Sequence, residues 1–215
     1  MQISISSICA RSGGEEIEIS FLITSEDGVN TDRQSFIISS SQYLVIMPQK
    51  GEANEEIYGE ISHASGVWEA TKKGIFLLGY GACSERALLM KLYSKGFDKE
   101  IAAEAVEQIV LMGLLRAGDD ASRLAEQMTK KLWGKKRIIS ALYEKGYSAE
   151  AVEIAMNSLE DSGVDFEENC KKLVRKKYSG AELGREGQSK LYAALSRYGY
   201  SSSEIKSALL DLKEE

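Results

Sequence analysis

One proline and one histidine in 215 residues are scarcities that each exclude something. A chain with Pro48 as its sole proline is not a linker-rich or disordered protein. With His63 alone, no multi-histidine metal site is available, and serine–histidine or cysteine–histidine catalysis would have to run through that one residue. The simpler reading of His63 is a helix residue half in water. Cysteine is equally sparse. Cys9, Cys83 and Cys170 are far apart, odd in number and form no Cys-x-x-Cys pair, the pattern of reduced thiols without a metal. No apolar run approaches the roughly 20 residues that span a bilayer, and the opening Met-Gln-Ile-Ser-Ile-Ser lacks the basic start and apolar stretch of a secretory signal. A cytoplasmic location with no membrane partner and no cofactor is expected.

What is present is a charge imbalance along the chain. Residues 1–75 carry 5 basic and 11 acidic side chains, whereas residues 76–215 carry 22 of each. The C-terminal part therefore escapes the acidity of the whole, and its positive charge is clustered, so an overall net charge of −6 does not exclude a local contact with phosphates.

The first fifty residues read as a small antiparallel sheet. Ile17, Ile19, Phe21 and Ile23 alternate with Glu16, Glu18, Ser20 and Leu22, the period of a half-buried strand. Asp27-Gly28 supplies a turn, and Phe36–Ser39 and Tyr43–Met47 are further short β-rich runs, the second stopped by Pro48. After Gly51 the period changes: Ile57, Ile61, Ala64 and Trp68 share one face of a helix, and helical patterning continues to the end.

The helical part repeats itself. Lys91-Leu-Tyr-Ser-Lys-Gly-Phe97, Ala141-Leu-Tyr-Glu-Lys-Gly-Tyr147 and Ala194-Leu-Ser-Arg-Tyr-Gly-Tyr200 align without gaps, their glycines 50 and 53 residues apart. Upstream, Leu88, Ile138 and Leu191 fall in register; downstream, Ala105, Ala155 and Ala208 do. Each glycine follows an amphipathic run, where a left-handed residue closes the last helical carbonyls. Asp98, Ser148 and Ser201 then stand where the next helix needs an N-cap, Ser201 with Glu204 at capping-box spacing. Third helices follow over roughly 119–132 and 165–178. The expected fold is mainly α, with tandem three-helix modules in an elongated curved array after a small antiparallel β segment. The expected divisions are the β segment over 1–52, a connecting helix over 53–80, modules over 81–133 and 134–183, and a truncated last module over 184–215.

Catalytic patterns are absent or incomplete. Gly74 and Gly79 have the spacing of a phosphate loop, but Tyr80 stands where its lysine belongs, and the segment reads as a hinge. The acidic pairs Glu55-Glu56, Asp119-Asp120 and Glu167-Glu168 lie where helices begin and complement the helix dipole. Trp68 and Trp133 read as packing residues. The stronger candidates are two basic clusters. Lys130, Lys131, Lys135, Lys136 and Arg137 surround Trp133-Gly134; Lys171, Lys172, Arg175 and Lys176 form a stripe opposite the apolar face of Phe166, Cys170, Leu173 and Val174. Such surfaces suit an acidic protein groove or phosphates.

The repeats resemble the RecX family. The turns at Leu92–Phe97 and Leu142–Tyr147 are similar to the family's leucine, Lys-Gly and aromatic turn. The segments Lys131–Tyr147 and Ser189–Ser201 resemble the starts of its second and third modules. The likeness covers roughly 54–213 well and 1–53 loosely. It departs at Leu114–Asp120, where many members have a tyrosine- and aspartate-containing turn, and at Tyr198, which replaces a lysine. The resemblance implies a non-enzymatic regulator, an inhibitor, that binds the groove of the RecA–DNA filament and limits ATPase, strand exchange and co-protease activity. The two basic clusters are the expected contact surface, with DNA contact through them, in a monomeric protein. A nucleic-acid-binding helical repeat or a scaffold with a different partner is the competing reading.

Overall fold

The computed structural model describes residues 2–25, 30–81, 83–178 and 185–214; the expected Asp27-Gly28 turn lies outside them. Strands β1 (Gln2–Arg11), β2 (Glu16–Thr24), β3 (Thr31–Ser39) and β4 (Gly51–Ala53) form one antiparallel sheet in the order β3-β2-β1-β4. Alternation decides its faces: Ile3, Ile5, Ile19, Phe21 and Ile38 all turn to the same buried core.

Tyr43–Met47, expected as a strand, is helical. Helix α1 (Ser40–Ile46) opens on a reciprocal capping box. The Gln42 amide donates to Ser39 Oγ at 3.2 Å, and the Ser39 amide donates to Gln42 Oε1 at 2.8 Å. Two satisfied end groups outweigh the β preference of Tyr43 and Val45. The helix stops at Met47 in the left-handed region, and the chain returns to add β4 beside Ile3–Ile5, a strand that the sequence did not announce.

Helix α2 (Glu55–Leu78) starts on Asn54, whose Oδ1 accepts the Ile57 amide at 2.9 Å. Its Ile61 and Ala64 complete the core of the sheet, where Phe21, Phe36 and Tyr58 meet edge to face with centroids 5.2–5.8 Å apart. Trp68 Nε1 donates to Glu16 Oε1 at 2.8 Å, and the Lys72 ammonium reaches the same oxygen at 2.7 Å. Farther along, α2 meets α3 (Glu85–Ser94) and α4 (Lys99–Leu111). A Cβ at Gly74 would stand 2.5 Å from Ile109 Cδ1, with Leu88 and Leu92 close by, so Gly74 is a packing residue inside α2.

The remaining helices are α5 (Ala117–Lys130), α6 (Lys135–Glu144), α7 (Ala149–Asp161), α8 (Phe166–Tyr178), α9 (Arg185–Arg197) and α10 (Ser202–Glu214). Gly96, Gly146 and Gly199 have φ of +91°, +83° and +93°. Across each of these turns the following aromatic amide reaches back to a leucine carbonyl: Phe97 to Leu92, Tyr147 to Leu142 and Tyr200 to Leu195, at 3.4, 3.1 and 3.3 Å. Ser148 and Ser201 cap the next helices as expected, Ser201 with Glu204 in a capping box. Asp98 stands at the cap position but its side chain makes no capping hydrogen bond.

Packing sets the phase of the repeat. One core joins α5, α6 and α7 through Ala121, Met128, Ile138, Leu142, Val152 and Leu159. Another joins α8, α9 and α10 through Cys170, Leu173, Val174, Leu195, Tyr200 and Ile205. Divisions near 134 and 184 therefore run between helices that share a core. The last set has three helices, with α8 as its first. By compactness the chain divides into 1–81 with 88–114, and 82–87 with 115–215.

Within the second of these units the glycine turns also serve as seats. Ser84 Oγ donates to the Lys145 carbonyl at 2.7 Å. Fifty residues on, the Gly134 amide donates to the Tyr198 carbonyl at 2.8 Å and the Lys136 amide to the Gly199 carbonyl at 3.1 Å. The start of α6 thus rests on the α9–α10 turn, as the residues before α3 rest on the α6–α7 turn. At the Gly96 turn, among the described residues, nothing lies within 4 Å of the place its Cβ would occupy.

Candidate interaction surface

The first cluster spans the α5–α6 link. Lys130 ends α5, and Lys135, Lys136 and Arg137 open α6, whose first turn has no acidic residue. Three cations at a helix N-terminus oppose the helix dipole, so helix stability does not explain them. Lys135 is answered by Glu160 at 2.7 Å. The Arg137 guanidinium carbon lies over the Trp133 ring, 4.0 Å from its centre, and 5.3 Å from the Tyr198 ring centre. Lys130, Lys131 and Lys136 are at least partly exposed.

In the second cluster, Cys170, Leu173 and Val174 are buried in the α8–α10 core, whereas Phe166, expected on the same face, packs against the α5–α7 core. The opposite face is less free than a bare stripe. Lys171 lies 3.3 Å from Glu167 and 3.9 Å from Asp211 of α10, and Arg175 lies 2.5 Å from Asp211 and 3.9 Å from Glu168. The Glu167 carboxylate hydrogen-bonded to its ammonium holds Lys171 above the usual lysine range. Lys172 and Lys176 are exposed. Lys176 lies in the last turn of α8, where its charge complements the helix dipole.

Two features bring the clusters together. Lys130 and Lys172 line one cavity of about 510 Å³ between the ends of α5 and α7 and the start of α8, where Glu126, Asp165 and Glu168 also lie. Tyr198 is the second. Lys177 donates to its hydroxyl and sits 4.7 Å from its ring, while Arg137 approaches the same ring. That Lys177 contact holds the Tyr198 hydroxyl below the usual tyrosine range. The residue at which this chain departs from the lysine-glycine turn thus lies against two cations, Arg137 and Lys177.

Burial pushes the Cys170 thiol up to about 12, and Cys83 is buried. His63 pairs with Glu104 at 3.0 Å in the first unit. Among the described residues no group of histidine, cysteine and acidic side chains has the arrangement of a metal site, and no described helix is long and apolar enough to cross a membrane.

A four-stranded antiparallel sheet followed by helices in sets of three, each with a glycine-aromatic turn before its last helix, defines a helical-repeat protein with an N-terminal sheet domain. Residues 165–209, which hold α8, α9 and most of α10, match the family model described as RecX, third three-helix domain. Regulatory protein RecX of Finegoldia magna is 25% identical over 190 residues, covering 83% of this chain and 89% of its own. Regulatory protein RecX of Lactococcus lactis subsp. cremoris is 28% identical over 146 residues, which span 62% of this chain and 54% of that protein. A crystal structure of regulatory protein RecX superposes over 99% of this chain and all of its own, with a TM-score of 0.73 at 21% identity, a likeness of fold. Residues 165–209 thus correspond to a RecX third three-helix domain, and the chain as a whole is similar in sequence and in fold to proteins named regulatory protein RecX.

Proposed function

We propose that this protein is a cytoplasmic regulator of RecA recombinase, an inhibitor that binds as a monomer in the groove of the RecA–DNA filament. There it limits ATPase, strand exchange and co-protease activity, and so acts in DNA repair and recombination. The observation that carries the reading is the likeness to proteins named regulatory protein RecX, in sequence over most of the chain and in fold over 99% of it. Tandem modules suit a filament because each can meet a successive protomer. The protein acts through binding, without a cofactor of its own.

The contact surface on this reading includes Lys130, Lys131, Lys135, Lys136, Arg137, Lys171, Lys172, Arg175 and Lys176. Support comes from the cations at the start of α6, which oppose the helix dipole and so are not accounted for by helix stability. The same exposed lysines favour a second reading, direct binding of DNA, whose affinity would fall steeply with salt.

The test is the single-stranded-DNA-dependent ATPase of the cognate RecA, with this protein titrated from substoichiometric to equimolar ratios. Suppression well below one protein per RecA is expected. Lys172→Glu with Lys176→Glu, at exposed positions, should weaken it while leaving the thermal unfolding unchanged. No suppression and no co-sedimentation with filaments would remove the RecA reading. Salt-sensitive DNA binding in that case would leave the second.

A further inference from the structure

The first unit contains a groove that its own packing does not fill. It runs between α1, α2 and the end of α4, with a volume of about 680 Å³, and Val45, Ile46, Val67, Trp68, Leu111 and Met112 supply its apolar surface. Val45 is 83% exposed and Leu111 80%, large apolar side chains set in water on different walls. Isolated exposed residues of this kind are ordinary, but a pair of them over a concave apolar floor marks a binding surface. The walls are held in place. Gln42 Nε2 donates to the Ala64 carbonyl at 2.9 Å, tying α1 to α2, and Trp68 is fixed by its bond to Glu16.

The described lining of the groove is acidic. Glu15, Glu60 and Glu104 line it together with His63, which pairs with Glu104 at 3.0 Å, and among the described lining residues there is no lysine or arginine. We propose that this groove docks an amphipathic helix of a partner protein, one whose apolar stripe is flanked by lysine or arginine. A helix fits better than an extended segment, because it satisfies its own backbone and the groove is walled mainly by side chains. Its apolar residues would cover Val45, Leu111 and Met112, and its cations would meet Glu60 and Glu104. This surface belongs to the sheet-bearing unit and does not depend on the reading given to the basic clusters.

The probe is a fluorescein-labelled synthetic helix with leucines at i, i+3 and i+7 and lysine and arginine on the flanks. A second peptide has the cations replaced by glutamate. Saturable binding of the first to the full chain is expected, with a change in Trp68 emission in a Trp133→Phe background, since these are the two tryptophans. Glu60→Lys with Glu104→Lys should weaken binding about tenfold, the scale of two rim charge contacts reversed. Val45→Asp with Leu111→Asp should abolish it. Both aspartates would stand at exposed positions, so an unchanged melting curve is the control for folding. Equal binding of the acidic peptide, or groove variants that bind as the parent does, would overturn the proposal. So would concentration-dependent dimers lost on Val45→Asp, which would make the occupant a second copy of this chain.

Discussion

Gly134 and Gly199 touch backbone to backbone. A Cβ on Gly134 would lie 2.4 Å from the Gly199 carbonyl carbon, and a Cβ on Gly199 would lie 2.4 Å from the Arg137 amide nitrogen. Neither position has room for a side chain, and the obstacle on each side is main chain, which cannot swing away. Gly134→Ala is therefore expected to cost about 3 kcal/mol, as overpacking does where nothing can yield. Gly199→Ala should cost more, because its φ of +93° adds a conformational penalty of about 1–2 kcal/mol. Gly96→Ala, at an equivalent but open turn, should show that conformational penalty alone. Urea unfolding of the three variants measures the difference; equal losses would disprove the seat.

The same contact is braced by Tyr200, whose hydroxyl donates to the Leu132 carbonyl at 2.8 Å. Leu132 is itself held at φ +57°, a strained conformation for a branched side chain. Tyr200→Phe keeps the ring and removes the bond, leaving that carbonyl without this donor. A loss of about 1–2 kcal/mol is expected in the same unfolding experiment.

Glu16 gives the first unit a dependence on acid. The Lys72 ammonium and the Trp68 indole N–H, both bonded to its carboxylate, lower it from an ordinary value of 4.5 to about 2. A carboxylate depressed in the folded state contributes stability that is complete above about 4.5 and is lost as pH falls from there toward about 2. Glu16→Gln should thus be less stable than the parent at pH 7, with the gap closing between these two values. A constant gap down to pH 2 would show that the carboxylate charge is not the cause.

The three thiols should separate by reactivity. Cys9 is exposed, whereas Cys83 and Cys170 are buried. With its thiol at about 12, Cys170 holds almost no thiolate at neutral pH. Ellman's reagent applied to the native protein should find one prompt thiol, absent in Cys9→Ser, and the other two only as the chain unfolds. Rapid labelling of Cys170 would mean that the α8–α10 core opens readily.

The period of the repeat is legible in the sequence because a left-handed glycine after a helix is a local demand, written three times at Gly96, Gly146 and Gly199. Its phase is not. Helices spaced evenly along a chain can be grouped in threes from any starting point, and only the meeting of Cys170 and Val174 with Leu195 and Ile205 shows that α8 belongs with α9 and α10. The Tyr43–Met47 segment misleads for a different reason. Its residues favour strands, and the helix is decided by Ser39 and Gln42 just upstream, a capping signal that is readable once weighed against propensity. The basic clusters are visible as runs of lysine and arginine, but their neighbours are not. Asp211 answers Arg175 from 36 positions away, and Tyr198 gathers Arg137 and Lys177 across two helices.

The seat at Gly199 also has a consequence for synthesis. The amides of Gly134 and Lys136 take their partners from residues that leave the ribosome more than sixty positions later. A nascent chain that has completed α6 and α7 therefore still has an unfinished helix start, with its lysines and free amides open to solvent or to anions. The α5–α7 module is closed by its successor, so its last stabilising contacts form only after the α9–α10 turn has been made.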